Sequence, residues 1–231
     1  MIDPKNPSGA LIGDPRYGLN EEELKQYYMK KSPCWYIRFE LDLTRGQAVR
    51  SEFKKEHLSY LQKHADQIRF SGPLLNMDGG EVTGGITLLD APDRNNVSSW
   101  LENEPYYLAG AFSQTEIIRW SSSMEIRQLD YPRTKGWQQF CITALDGPEA
   151  DERRDAFSSE HHKYQAEVMD RYVARGPLQT DDGGGIIGSL MIVEYPNLEA
   201  CEEFWTNEPL NYGKVFDSVK IERWRYGQAI G

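Results

Sequence analysis

The stretch "NEPYY" at Asn103–Tyr107 is echoed by "NEPLN" at Asn207–Asn211, 104 positions along the chain. The offset holds far beyond three residues. Sliding the chain by 104 lays Arg50–Trp120 on Arg154–Trp224 without a gap, with 21 of 71 positions identical. The matches include Arg50/Arg154, Phe53/Phe157, His57/His161 and Tyr60/Tyr164. Gly72-Pro73 then falls on Gly176-Pro177, Asp78-Gly79-Gly80 on Asp182-Gly183-Gly184, and Arg119-Trp120 on Arg223-Trp224. A period of this length is the size of a small domain rather than a solenoid unit, so the chain carries an internal duplication.

Within each copy the periodicity changes in a fixed order. "CWYIRFELD" (34–42) is rich in aromatic and β-branched residues and reads as a strand. Residues 45–66 read as one helix, with Phe53, His57, Tyr60, Leu61 and His64 on a single face. "QIRFSGPLLNM" and "GITLLDA" are strands joined by the glycine-rich turn "DGGEVTGG". A short helix, "RNNVSSWLEN", stops at Pro105, and "AFSQTEIIRW" is a fourth strand. The second copy repeats the order. Each is therefore β-α-β-β-α-β, a ferredoxin-like unit with helices on one face of an antiparallel sheet. The opposite faces bury their apolar residues if the two sheets pack together. The expected fold is α+β, with an N-terminal arm (1–32), a first repeat (33–122), a linker (123–136) and a second repeat (137–231). In the arm, Pro4, Pro7 and Pro15 predict irregular chain, and Asn20 caps a short helix over "EEELKQYYMKK". The arm could pack on the body, cover a pocket or reach a partner subunit.

Composition narrows the function. The net charge of −10 argues against broad phosphate-backbone contact, so no nucleic-acid partner is expected. Three cysteines without CxxC spacing suggest neither a disulfide framework nor a zinc site. The four histidines lack metal-ligand spacing, so no metal is expected. No apolar run is long enough to span a bilayer and no signal-peptide pattern opens the chain, which sets the expectation of a cytoplasmic protein with no membrane partner.

The ordered features resemble the YCII-related domain of the dimeric α+β barrel superfamily. They are an Arg seven residues before a His on the first helix, Gly-Pro in the second strand, a glycine-rich hairpin, an acid before Pro after the second helix, and an aromatic-rich last strand. The resemblance implies an intramolecular barrel built from two ferredoxin-like repeats, with a homodimer of such chains as a compatible assembly. It also implies small-molecule enzymes, among them dehydrochlorinases, isomerases, cofactor-free monooxygenases and haem-binding enzymes. The family's site pairs the helical His with an Asp of an Asp-Pro sequence. Here both copies carry Glu, one methylene longer, so the implied pairs are His57 with Glu104 and His161 with Glu208.

A carboxylate fixes the tautomer of an imidazole and leaves its other nitrogen free to move a proton. Such pairs suit isomerisation or HX elimination next to a carbonyl without any cofactor. The expected function is accordingly a cofactor-independent lyase or isomerase for a small cyclic or aromatic-derived acid. A cofactor-free or haem-type oxygenase and a non-catalytic small-molecule binder are the alternatives. Arg50 and Arg154 are candidates to hold a substrate anion. Tyr60 and Tyr164 are candidates to wall the pocket or to donate a hydrogen bond. Against these stand plainer roles: a packed His on a helix face, a Glu-Pro helix stop, and Trp120 and Trp224 packing at strand ends. The hairpins resemble phosphate loops, but they lie between strands rather than before a helix. The sequence does not rank the copies. Tyr106 and Tyr107 favour the first for a ring substrate, whereas His162 and Asp181 add proton-transfer groups to the second.

Overall fold

The computed structural model describes Asn6, Ala10 and residues 12–230. The irregular chain expected around Pro4 and Pro7 lies outside them. The arm carries α1 (Glu21–Lys30), opened by a capping box in which the Asn20 side chain accepts from Glu23 N and the Glu23 carboxylate accepts from Asn20 N. The first copy runs β1 (Cys34–Leu41), α2 (Gly46–Glu52), α3 (Lys54–Lys63), β2 (Ile68–Leu75), β3 (Val82–Asp90), α4 (Arg94–Leu101), α5 (Pro105–Leu108) and β4 (Phe112–Trp120). The second runs β5 (Gln138–Asp146), α6 (Ala150–Glu167), β6 (Tyr172–Gln179), β7 (Ile186–Tyr195), α7 (Leu198–Thr206), α8 (Pro209–Tyr212) and β8 (Phe216–Trp224). The helix expected over 45–66 is interrupted at Phe53, where ψ opens to 17°. Its counterpart α6 is continuous.

The eight strands close into a ring in the order β1-β3-β2-β8-β5-β7-β6-β4. Alternate side chains point to opposite faces of a strand. One face of the ring forms an interior core shared by both copies, with Tyr36, Phe70, Leu88, Trp120, Ile192 and Trp224 among its members. The other face packs under helices in two separate clusters, one around Trp35, Ile37 and Trp100 and one around Phe140, Tyr172 and Phe204. This double burial explains why β1 reads as an almost unbroken apolar run. No helix among the described residues is long and apolar enough to cross a membrane.

The copies meet at two short seams. Leu74 and Leu75 pair with Trp224 and Arg223, and Trp120 and Arg119 pair with Leu178 and Gln179. The seams account for the repeated Gly-Pro and Arg-Trp. A Cβ on Gly72 would lie 2.0 Å from the Arg225 carbonyl oxygen, and one on Gly176 would lie 1.9 Å from that of Ser121, so only glycine lets the chains cross there. Each Arg of Arg-Trp closes the other copy's hairpin. Arg223 Nη1 donates to Met77 O at 2.9 Å and Arg119 Nη1 to Asp181 O at 3.0 Å. The glycine-rich hairpins thus receive a guanidinium from across the seam, against Gly79 and Gly183, both at positive φ.

The duplication slips by one position in the first strand. Leu41 pairs with Phe112 and Asp146 pairs with Phe216, which sets β1 and β5 at an offset of 105. The linker is pinned by buried charge: Glu125 pairs with Arg69 and with Lys31, and Asp90 with Arg127. The described part of the arm packs on this linker. Asp14 accepts from Glu125 N and Arg16 donates to Ser123 O.

Candidate active site

Glu104 is the N-cap of α5. Its carboxylate accepts from Tyr106 N at 3.2 Å and Tyr107 N at 2.9 Å, and it is only 2% exposed. These bonds satisfy N–H groups that a helix start leaves open, and they lock the side chain in place. The same carboxylate accepts from His57 Nδ1 at 2.6 Å. The helix-stop role and the pairing with His are therefore one arrangement, and the extra methylene of Glu is absorbed without loss of contact. Glu208 caps α8 in the same way and pairs with His161 Nδ1. His57 lies flat on Tyr106, with ring centroids 3.8 Å apart and planes 10° from parallel. Its Nε2 makes no hydrogen bond among the described residues.

A cavity of about 300 Å³ opens beside His57. Its floor is the outer face of β2 and β3, where the Ser71 and Thr87 hydroxyls lie 2.9 Å apart. One side is α2 and α3, contributing Arg50, Lys54, His57 and Leu61. The far side is the chain after β8, residues 225–230. That tail is held by Gln128 of the linker, fully buried, whose Oε1 accepts from Ser71 N while Nε2 donates to Gly227 O and Ile230 O.

The two arginines differ. Arg154 donates from Nε and Nη2 to Asp146 at 2.9 and 2.5 Å, and from Nη2 to Ser189 Oγ at 3.3 Å. In the first copy Leu41 stands in place of Asp146 and Gly85 in place of Ser189. Arg50 consequently has no carboxylate partner among the described residues. Burial holds its guanidinium below the usual range, with Arg225 adding to the effect, while Tyr106 and Glu104 oppose it. An arginine remains charged under such a shift. Its guanidinium carbon lies 5.6 Å from the Tyr106 ring centre, and the Tyr106 hydroxyl donates to Arg50 O.

Tyr60 is not among the residues that line the cavity, and Tyr164 makes the same contact in the second copy as Tyr60 in the first. Their hydroxyls donate to Trp100 O and Phe204 O, each at 2.8 Å, and tie the first helix of each copy to the second. Burial pushes both phenols up to about 12. The aromatic wall beside the histidine is Tyr106, with Leu210 at that position in the second copy. Floor residues differ as well: Ser71 and Thr87 are matched by Arg175 and Met191. Tyr106 was visible in "NEPYY". The tail 225–230 was not, because its place depends on how the second copy closes the ring.

The comparisons with known proteins agree with this architecture. The YCII-related domain matches residues 34–121 and 138–225. Among solved structures, the chain is similar to a 5-chloro-2-hydroxyhydroquinone dehydrochlorinase from Burkholderia phenoliruptrix, solved with 2,5-dihydroxybenzoquinone. The identity is 28% over 38% of this chain and 93% of that one, with a TM-score of 0.35. A chlorite dismutase from Candidatus Nitrospira defluvii is similar in fold at 10% identity, covering 87% of this chain and 94% of that one, with a TM-score of 0.56. A haem-binding protein from Thermus thermophilus is similar at 9% identity, covering 84% and 91%, with a TM-score of 0.51. No curated protein sequence matches the chain.

Proposed function

The chain belongs to the YCII-related domain family, in two copies, and we propose that its first copy is a cofactor-independent lyase or isomerase for a small cyclic or aromatic-derived acid. The observation that carries this reading is the His57–Glu104 pair at the wall of a cavity that also holds an unpaired Arg50. Glu104 fixes the Nδ1–H tautomer, which leaves Nε2 as the base. The base takes a proton from carbon next to a carbonyl, while Arg50 holds the substrate's acid group in place. In isomerisation the imidazolium returns the proton to a different carbon. In elimination the electrons of the broken C–H bond become the new double bond and X⁻ leaves. Tyr106 and Phe39 offer apolar surface to a ring.

The second copy lends itself less to this chemistry, since Asp146 already occupies Arg154. The haem-type oxygenase reading draws less support from the cavity than a cofactor-free one. At about 300 Å³ the cavity lies at the small end of ligand pockets and suits one ring better than a macrocycle.

The test is a panel of cyclic keto acids, lactones and halogenated hydroquinones in D₂O, followed by deuterium incorporation and halide release. His57→Asn and Glu104→Gln should each lower turnover at least about 100-fold, while His161→Asn leaves it near wild type. Turnover that depends on His161 and not on His57 would overturn the reading. Oxygen uptake without proton exchange would point to the oxygenase.

A further inference from the structure

Three cations line the first-copy cavity, Arg50, Lys54 and Arg225, and among the described residues no carboxylate lines it. On a chain of net charge −10 this is a local reversal of sign. None of the three has an ion-pair partner among the described residues. Arg50 and Arg225 are close enough for Arg225 to disfavour the charge on Arg50. Arg50 is the partly desolvated member of the three, and a like charge beside it costs stability that an anionic ligand relieves.

The second copy provides the contrast. Arg154 is neutralised by Asp146. Ser158 stands at the position of Lys54, and Ser121 follows Trp120 as Arg225 follows Trp224. Each cation of the first site is thus replaced or quenched in the second. Arg225 also reaches the first site from the other copy, because the chain leaves β8 across the seam, where Arg225 N donates to Pro73 O at 3.2 Å.

A single guanidinium satisfies one carboxylate through two parallel hydrogen bonds. Arg50, beside the ring that stacks on His57, is placed to do this near the reacting centre. That leaves Lys54 and the exposed Arg225 without an anion to meet. We propose that the substrate is a dianion, a small cyclic acid bearing a second anionic oxygen group, and that Arg225 is the specificity residue that holds this second group. The inference rests on the reading that the first copy is the working one, and it names the substrate class that copy takes.

Calorimetric titration with benzoate and the three benzenedicarboxylates at low salt tests it without any turnover. On the wild-type chain at least one dicarboxylate should bind about tenfold or more tighter than benzoate. Arg225→Ser should bring that ratio close to one while leaving benzoate affinity little changed. Lys54→Ser should lower the ratio as well, and Arg154→Gln should leave it intact. Equal affinity for mono- and dicarboxylates, no binding of any of the four, or a ratio indifferent to Arg225→Ser would overturn the proposal. His57→Asn separates this inference from the catalytic one. Dicarboxylate preference that survives in His57→Asn, with no compound turned over by wild type, sinks proton transfer and keeps the dianion site. Turnover confined to monoanions does the reverse.

Discussion

Leu41 and Asp146 hold the same place in the two copies, each opposite the first phenylalanine of its copy's last strand, and they differ in charge. That difference, together with Gly85 in place of Ser189, decides what the arginine on the next helix does. Arg154 is consumed by its neighbour, whereas Arg50 faces an open cavity with its charge unspent.

A stability contrast between the arginines follows. Arg154→Gln leaves the Asp146 carboxylate, 8% exposed, without its cation. It should cost about 2 kcal/mol, the range for hydrogen bonds to charged groups. Arg50→Gln removes a desolvated cation that has no ion-pair partner among the described residues, so stability should stay within about 1 kcal/mol of wild type. Urea midpoints at neutral pH check both values. Equal losses would mean that Arg50 has a structural partner after all.

The two glutamates should behave alike in folding and differently in activity. Each caps a one-turn helix and accepts from a histidine. Glu104→Gln and Glu208→Gln keep one acceptor oxygen and lose the charge. Each should lower stability by about 1–2 kcal/mol, as capping substitutions do. Only the first should also lower turnover. A parallel loss of activity in both would place chemistry in each copy.

The tail that closes the cavity depends on a residue outside both copies. Gln128→Ala removes the acceptor for Ser71 N and the donor to Gly227 O and Ile230 O. Hydrogen exchange over 225–230 should rise, and ligand affinity in the first copy should fall with it. Exchange unchanged in this segment would show that the bonds from Arg225 N to Pro73 O and from Gly227 N to Ser71 O, with the packing of Ile230, suffice to hold the tail.

Alkaline pH should destabilise the fold. Burial pushes the Cys141 and Cys201 thiols up to about 12 from an ordinary value of 9.0, and the Tyr164 phenol up to about 12 from 10.0. In the unfolded chain these groups release protons at their ordinary values while the folded chain still keeps them. Their contribution is therefore whole below pH 9 and is lost as pH rises towards 12. Urea midpoints at successive pH values should fall across that window. Burial raises the Cys34 thiol as well, so it is in Cys34→Ala combined with Cys141→Ala and Cys201→Ala that the fall should begin nearer pH 10.

The duplication and the strand order were legible because both rest on local pattern. Gly72-Pro73 and Arg119-Trp120 could be seen to repeat, yet their reason lies in seams that join distant strands. The His57–Glu104 pair was legible through the family resemblance. The identity of the free arginine was not. It turns on a one-position slip between β1 and β5 that a gapless offset from Arg50 onward does not expose. The contact made by Tyr60 is likewise not readable from spacing. Helical spacing puts Tyr60 on the face of His57, but a carbonyl on α4 takes its hydroxyl.

The seams have a further consequence. Were the ring made of two identical chains, each substitution would appear at both sites, and a residue harmful in one place could not be kept for its value in the other. Joining the halves in a single chain lifts that obligation. Arg225 can exist without a twin at Ser121, and Asp146 without a twin at Leu41. One half is free to specialise in chemistry while its sibling keeps the scaffold upright.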